Sequence, residues 1–213
     1  MKRILRGLLG VFLVVAVAGC GGGGSSGPTQ ITTQILSDAR FDGDIAQDPV
    51  SGTLTVTQNN PQSVFAGVNP VSNVEYRAFL DFPLSGAGGV PGNAVIVSAT
   101  LDIFINRIDS SSSTITIPID IDLVSFQPPT LVGTDFSLNT QRAILTTSIN
   151  IFPGDAGRHV FIDATALMKE AQRLGLADLQ LRILESPNAA APGRIEIDDT
   201  TVTRAPLLEV TYF

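Results

Sequence analysis

The chain has 213 residues, of which 44% are hydrophobic and 15% are charged, and its formal net charge is −7 at pH 7. This apolar content is enough for a packed core, which excludes a disordered chain, and the length suits one sandwich or barrel domain. Polar residues interrupt every apolar stretch after the N-terminal one, which excludes a protein with several membrane-spanning helices.

The N-terminus has the charge and hydropathy pattern of a secretory signal peptide. Lys2, Arg3 and Arg6 precede an apolar run over residues 8–18. This run is shorter than the roughly 20 residues that a helix needs to cross a bilayer. The pattern predicts export and a signal peptide over residues 1–19.

The apolar run ends in Val17-Ala18-Gly19-Cys20, which resembles a bacterial lipobox. We expect lipid attachment at Cys20, and the alternative is an ordinary signal peptide followed by a chance cysteine. Cys20 is the single cysteine, so an internal disulfide is excluded. The resemblance to lipoproteins, with Gly21 after the cysteine, implies the outer membrane. Residues 20–28 form a lipidated Gly/Ser tether.

Loss of residues 1–19 makes the protein markedly acidic. It removes three basic residues and no acid, which leaves 10 basic against 20 acidic residues and a net charge of −10. Nucleic-acid binding depends on Lys and Arg beside phosphates, so we expect no nucleic-acid partner.

From Thr29 onward, apolar and polar residues alternate between clusters of turn residues, which predicts antiparallel strands. The strands are predicted at residues 53–57, 76–82, 94–105, 114–123, 141–151, 158–162, 179–184, 194–197 and 207–212. Pro118 indicates an edge strand or a bulge, because proline cannot donate to a strand ladder. The pattern predicts an all-β domain over residues 29–213, an antiparallel β-sandwich of jelly-roll type, with a barrel as the alternative.

One short helix interrupts this pattern after residue 162. Asp163 or Thr165 is suited to its N-cap and Gly175 to its C-terminal stop. Four apolar residues share one face at helical spacing: Leu167, Met168, Ala171 and Leu174. We expect this helix to cap one open end of the sandwich.

Two neighbouring stretches, residues 76–84 and 90–101, resemble the DNRLRE domain family, a group of β-sandwiches similar to carbohydrate-binding modules. Residues 160–167 and 206–212 resemble its strand-to-helix step and its closing strand. The likeness runs from about residue 41 to residue 213 and implies the sandwich fold and glycan binding. The chain departs from the family at Ala171, where a tryptophan is usual, and at residues 195–199.

Sugar sites usually combine an aromatic ring with a few polar groups. The chain has no tryptophan, and Tyr76 and Tyr212 lie within strand patterns, which favours a core or interface role for each over a binding platform. Four arginines are candidates for a polar groove, although a solvated sheet face explains them as well. They are Arg77, Arg107, Arg142 and Arg182.

No catalytic pattern is present: His159 is the single histidine, and no nucleophile elbow, zinc-binding helix or phosphate loop occurs. We therefore expect no enzyme and no cofactor, with His159 at the surface. The acids that could favour Ca²⁺ are Asp42, Asp44, Asp198 and Asp199, and turn formation explains them equally well. We predict no metal site, and we place Asp120 and Asp122 on the wet face of a strand.

These patterns together predict a lipoprotein of the bacterial cell envelope with a non-catalytic binding module. Its first expected ligand is a polysaccharide, which the family resemblance alone implies. The alternative is a structural or adhesion module that binds protein partners or itself through an apolar patch or a free sheet edge.

Overall fold

The computed structural model describes residues 28–59, 61–112, 116–126, 130–200 and 203–213. The predicted signal peptide, Cys20 and all of the tether except Pro28 lie outside these residues. The described strands are β1 (Ile31–Leu36), β2 (Gly43–Gln47), β3 (Leu54–Gln58), β4 (Ser63–Val68), β5 (Glu75–Pro83), β6 (Ile96–Ser110), β7 (Ile117–Val124), β8 (Leu145–Ile151), β9 (Arg158–Asp163), β10 (Asp178–Glu185), β11 (Gly193–Asp198) and β12 (Leu207–Tyr212). The helix is α1 (Thr165–Arg173), and short 3-10 turns cover Gly133–Phe136 and Pro153–Asp155.

All of these strands pair antiparallel and form one continuous, curled sheet. Its first half contains β1, β12, β6, β9, β11 and β4, and its second half contains β3, β2, β5, β10, β7 and β8. The halves are linked where β4 meets β5, through two residue pairs, Gly67 with Tyr76 and Val68 with Glu75. The predicted all-β class with one short helix is confirmed. The two layers expected of a sandwich are the two halves of one continuous sheet.

The inward faces of both halves share one apolar core. Leu101, Ile103 and Ile105 of β6 belong to the same buried cluster as Ile121 of β7 and Leu181 of β10. Full burial of each such side chain stabilises the fold by about 2 kcal/mol. Strict alternation along β6 and β7 therefore fixes which residues of these strands face outward.

Helix α1 closes one end of this core, as predicted. It buries Leu167, Met168 and Ala171, and it contacts β6 in the first half and β8 and β10 in the second. The N-cap residue is Ala164, so the N-cap predicted at Asp163 or Thr165 is wrong, although the Asp163 carboxylate accepts a hydrogen bond from the Thr165 amide at 2.9 Å. Leu174 is 42% exposed, so its predicted core position is wrong, because the helix ends one residue earlier.

Two features of the sheet differ from expectation. β1, β2 and β4 were not predicted, because three consecutive polar residues, Thr32 to Gln34, interrupt the alternation in β1, and β2 begins with Gly43 and Asp44, which are turn formers. The edge or bulge expected at Pro118 is wrong, since β7 lies between β10 and β8. Pro118 is the second residue of β7, and its carbonyl accepts the Ser186 amide at 2.8 Å.

The outer face of the second half is covered by the chain that follows β7. A second apolar cluster forms there, and it buries Phe79, which lies on the face of β5 opposite the one that carries Ala78 and Leu80. Its members are Ile45, Phe79, Val124, Phe126, Leu131 and Phe136. Water is therefore excluded from much of this face, whereas the outer face of the first half has no such cover in the described chain.

Gly67 lies where the backbones of β4 and β11 approach each other closely, and its substitution tests this contact. Its φ is +101°, and a Cβ atom there would collide with the Gly193 carbonyl oxygen. We predict that Gly67→Ala lowers the free energy of unfolding by more than about 2 kcal/mol in urea titrations. Gly52→Ala is the control, because Gly52 has a φ of +69° and open space around it. Its expected cost is about 1 kcal/mol, and equal costs would contradict the close approach.

Candidate ligand-binding face

The uncovered outer face of the first half carries the strongest candidate site. We call it the open face and define it by the outward side chains of β4, β6, β9 and β11. Along β6, Leu101, Ile103 and Ile105 point into the core, so Asp102 and Phe104 point outward. β9 pairs with β6 so that Phe161 lies opposite Asp102 and His159 lies opposite Phe104. The register of two strands thus gathers rings and acids on one surface.

Three rings form an aromatic platform, which comprises Phe104, His159 and Phe161. The His159 and Phe161 rings stack at 6.2 Å between centroids with 16° between planes. Phe104 meets the His159 ring edge to face at 5.0 Å. Phe161 is 69% exposed, more than any other described phenylalanine. The platform therefore offers an apolar ring face to solvent.

Polar groups border this platform. Nδ1 of His159 lies 2.9 and 3.1 Å from the two carboxylate oxygens of Asp102. A carboxylate only accepts, so Nδ1–H donates, and Nε2 is the acceptor of the neutral ring. The Arg204 guanidinium stands 4.4 Å from the Phe104 centroid and 3.6 Å from Asp198. Hydrogen-bond donors and acceptors thus lie beside the rings of the platform.

A groove of about 680 Å³ lies at the other end of the open face, where Arg107, Asp109 and Arg194 form part of its wall. Arg194 is 2.5 Å from the Asp109 carboxylate, and Arg107 reaches Asp109 at 3.2 Å and Glu196 at 3.4 Å. The Arg194 guanidinium also stacks on two rings, Phe65 and Tyr76. These arginines are largely satisfied by the protein itself, which makes the groove a weaker candidate than the platform.

The four predicted arginines separate into two groups. Arg107 and Arg142 are exposed, but Arg77 and Arg182 are buried under the cover of the second half, so a solvated position for these two is wrong. Arg182 is fully buried, with Nη2 and Nε at 2.6 and 3.1 Å from the Asp122 carboxylate. Arg77 stacks on Phe136 and donates to its carbonyl oxygen. Both serve the fold, and neither is available to a ligand.

The acids on β7 and the tyrosines also differ in burial. Asp120 is half-buried and accepts a hydrogen bond from the Ser148 hydroxyl at 2.6 Å. Asp122 is buried in an ion pair with Arg182, so its predicted solvent-exposed position is wrong.

Tyr212 lies in the main core as expected. Tyr76 is half-buried and packs against Phe65 on the outer face, so of its two predicted roles the core one is wrong.

The acids considered for Ca²⁺ lie at two places. Asp42 and Asp199 interact with each other at the end of the sheet, and burial is the main cause that raises their pKa values to about 8 and about 7. Asp44 accepts the Phe65 amide at 3.2 Å instead, and burial raises its pKa to about 6. Asp198 accepts the Thr200 amide at 2.8 Å. In the described ranges, no three His, Cys, Asp or Glu side chains are grouped as metal ligands.

The comparisons with known proteins add no relative. Neither a scan against protein-family models nor a search of curated proteins found a match. The resemblance to the DNRLRE domain family therefore stays a prediction. Across the part of the chain that the structure describes, no helix is long and apolar enough to span a bilayer.

Local alternation over residues 158–162 predicts a strand but does not by itself identify the platform rings. His159 is at the surface as expected, but its stacking with Phe161 was not foreseen. The available signal was Phe161 itself, which lies between the inward Val160 and Ile162 and is therefore an aromatic ring on the polar side of the alternation. Contact with Phe104 depends on the β6–β9 register, which no local pattern specifies.

The arginines provide a test of the covered and open faces. We predict that Arg182→Met lowers the free energy of unfolding by about 3 kcal/mol or more, because it leaves the Asp122 charge buried and unpaired. Arg107→Met is the matched control on the open face and should change stability by less than about 0.5 kcal/mol. Chemical denaturation of both variants provides the measurement. A small effect at Arg182 would contradict the burial of this ion pair.

Proposed function

We propose that this protein is a non-enzymatic binding module that a lipid on Cys20 holds at a bacterial envelope membrane. Its ligand is a polysaccharide, and its binding surface is the aromatic platform of the open face. The lipobox-like residues before Cys20 support the anchor, and the exposed rings of β6 and β9 support the binding surface.

The exposed ring of Phe161 is the observation that carries this proposal. A pyranose presents an apolar C–H face, and a flat aromatic ring covers it at a small entropy cost. Phe161 is 69% exposed on a paired strand, so its backbone is already ordered before a ligand arrives. Stacking with His159 limits its rotation further. Such a preorganised ring is suited to stack under one sugar unit.

Charge favours an uncharged polysaccharide. Hydroxyl groups of a sugar can donate to the Asp102 carboxylate and accept from the Arg204 guanidinium, which flank the platform. The predicted mature chain carries twice as many acidic as basic residues, and this repels polyanionic glycans. Neutral polymers of hexose or pentose units fit both conditions.

A second candidate function rests on the edge of β9. Within the described strands, β9 pairs with β6 alone, so its other edge is free to pair with another strand. Phe161 lies on this strand and would be covered by such a partner. The protein would then be an adhesion module that self-associates or binds a protein.

We predict that Phe161→Ala weakens polysaccharide binding by about ten-fold or more, which corresponds to the loss of one stacking contact of about 1.4 kcal/mol. The full chain, purified in detergent, would be tested against soluble β-glucan, xylan, mannan and galactan by affinity electrophoresis. Phe213→Ala is the matched control, since Phe213 is 42% exposed and does not belong to the platform.

The outcomes separate the two functions. Binding that falls in the Phe161 variant and persists in the Phe213 variant supports the polysaccharide site. No binding by the wild type, together with self-association in sedimentation experiments that Phe161→Ala abolishes, supports the adhesion module. Polysaccharide binding that is equal in both variants would contradict the platform as the site.

The anchor has its own test. We predict that mass spectrometry of the membrane-extracted protein finds a chain that begins at Cys20 and carries fatty acyl groups. Cys20→Ser should move the protein from the membrane pellet to the soluble fraction, and Ser26→Ala in the tether serves as the control. A Cys20→Ser variant that stays in the pellet would show that lipid is not the anchor.

A further inference from the structure

Four buried oxygen atoms have no hydrogen-bond partner in the protein. They are Oδ2 of Asp42, Oγ of Ser37 and both carboxylate oxygens of Asp199. Asp42 is fully buried, and Asp199 is 6% exposed. A buried carboxylate oxygen without a partner carries a large desolvation cost. Oxygens of this kind, gathered in one place, point to a ligand that compensates for that cost.

Two connections between strands, the one after β1 and the one after β11, carry these oxygens at one end of the sheet. The Ser37 amide donates to the Pro206 carbonyl at 3.0 Å, which joins the connection after β1 to the one before β12. Oδ1 of Asp42 accepts the Asp81 amide at 2.8 Å, so Oδ2 is the oxygen left over. Burial raises the pKa of Asp42, the nearby Ser37 hydroxyl lowers it, and the Asp199 carboxylate raises it. Asp42 therefore lies close to the Ser37 hydroxyl and within electrostatic reach of Asp199.

The charge of these acids is not compensated by a basic side chain. In the described chain, the groups that act on the pKa values of Asp42 and Asp199 are other carboxylates and hydrogen-bonding groups, with no Lys or Arg among them. Two other buried acids have basic partners: Arg182 lies 2.6 Å from Asp122, and Arg204 lies 3.6 Å from Asp198. Buried Asp81 has no ion pair among the described residues, but it accepts the Gln180 side-chain amide at 2.8 Å, whereas Asp42 and Asp199 keep carboxylate oxygens without a partner.

We propose that Asp42, Asp199 and Ser37 bind one Ca²⁺ ion. All four free atoms are oxygens, which hard cations prefer, and Ca²⁺ accepts the irregular geometry that connections between strands provide. Two carboxylates and a hydroxyl fill only part of a shell of about six to eight oxygens, so main-chain carbonyls and water complete it. This shell contains two acids, and the described residues hold no group of three or more His, Cys, Asp or Glu side chains for a metal ion.

The ion would join the connection between β1 and β2 to the connection between β11 and β12. The second of these also carries Arg204, which stacks on Phe104 at the aromatic platform. Cation binding would therefore order the polar border of the platform. The proposed Ca²⁺ site does not depend on the proposed polysaccharide function, and Ca²⁺ binding can be tested without any sugar.

The test is calorimetric titration of CaCl₂ into the full chain in detergent after treatment with a chelator, together with thermal unfolding at about 1 mM Ca²⁺. We expect saturable binding of one ion per chain and a rise of several degrees in the unfolding temperature. Mg²⁺ at the same concentration should give a much smaller shift, because it requires a regular octahedral shell. No saturable heat and no shift with Ca²⁺ would overturn the proposal.

Asp199→Asn is the decisive variant, and we expect it to weaken Ca²⁺ binding at least ten-fold. Asp48→Asn is the matched control, since Asp48 is an exposed acid whose turn hydrogen bonds an asparagine can also accept. Its binding should equal that of the wild type. If Asp199→Asn does not fold, Ser37→Ala decides, with an expected loss of several-fold. Wild-type affinity in the folded variants at Asp199 or Ser37 would overturn the assignment of the site.

Discussion

The outer face of the second half of the sheet is covered, and this constraint decides which sheet face a ligand can reach. The chain after β7 packs Phe126, Leu131 and Phe136 against the second half of the sheet. The Arg182–Asp122 pair lies under the same cover, where it satisfies charges that would otherwise be buried alone. Because this cover excludes water, a ligand that binds to a sheet face has the first half available to it.

The curled shape of the sheet explains how the open face acquires its chemistry. Both halves direct their branched apolar residues into one core, so alternation along β6 forces Asp102 and Phe104 outward. β9 contributes His159 and Phe161 to the same surface through its register with β6. The side chains of the platform are therefore held by paired strands, and little ordering is needed when a ligand binds.

Local pattern predicted most of the strands and the helix correctly because apolar alternation and a glycine that ends a helix are local signals. β12 was predicted at its exact bounds, and α1 ends before Gly175, whose φ of +67° favours glycine. The positions of Arg77, Arg182 and Tyr76 were not predictable, because a cover from a distant segment decides which polar strand residues are buried. The platform and the Asp42–Asp199 pair likewise arise from contacts between residues far apart in the sequence.

Hydrogen–deuterium exchange of the full chain with and without a bound neutral polysaccharide tests most directly whether the open face is the binding face. Bound ligand should slow exchange in peptides from β6 and β9, with unchanged exchange in β5, β7 and β10, which lie beneath the covered face. Protection confined to β5, β7 and β10, or no change with any of the four polysaccharides, would contradict this account.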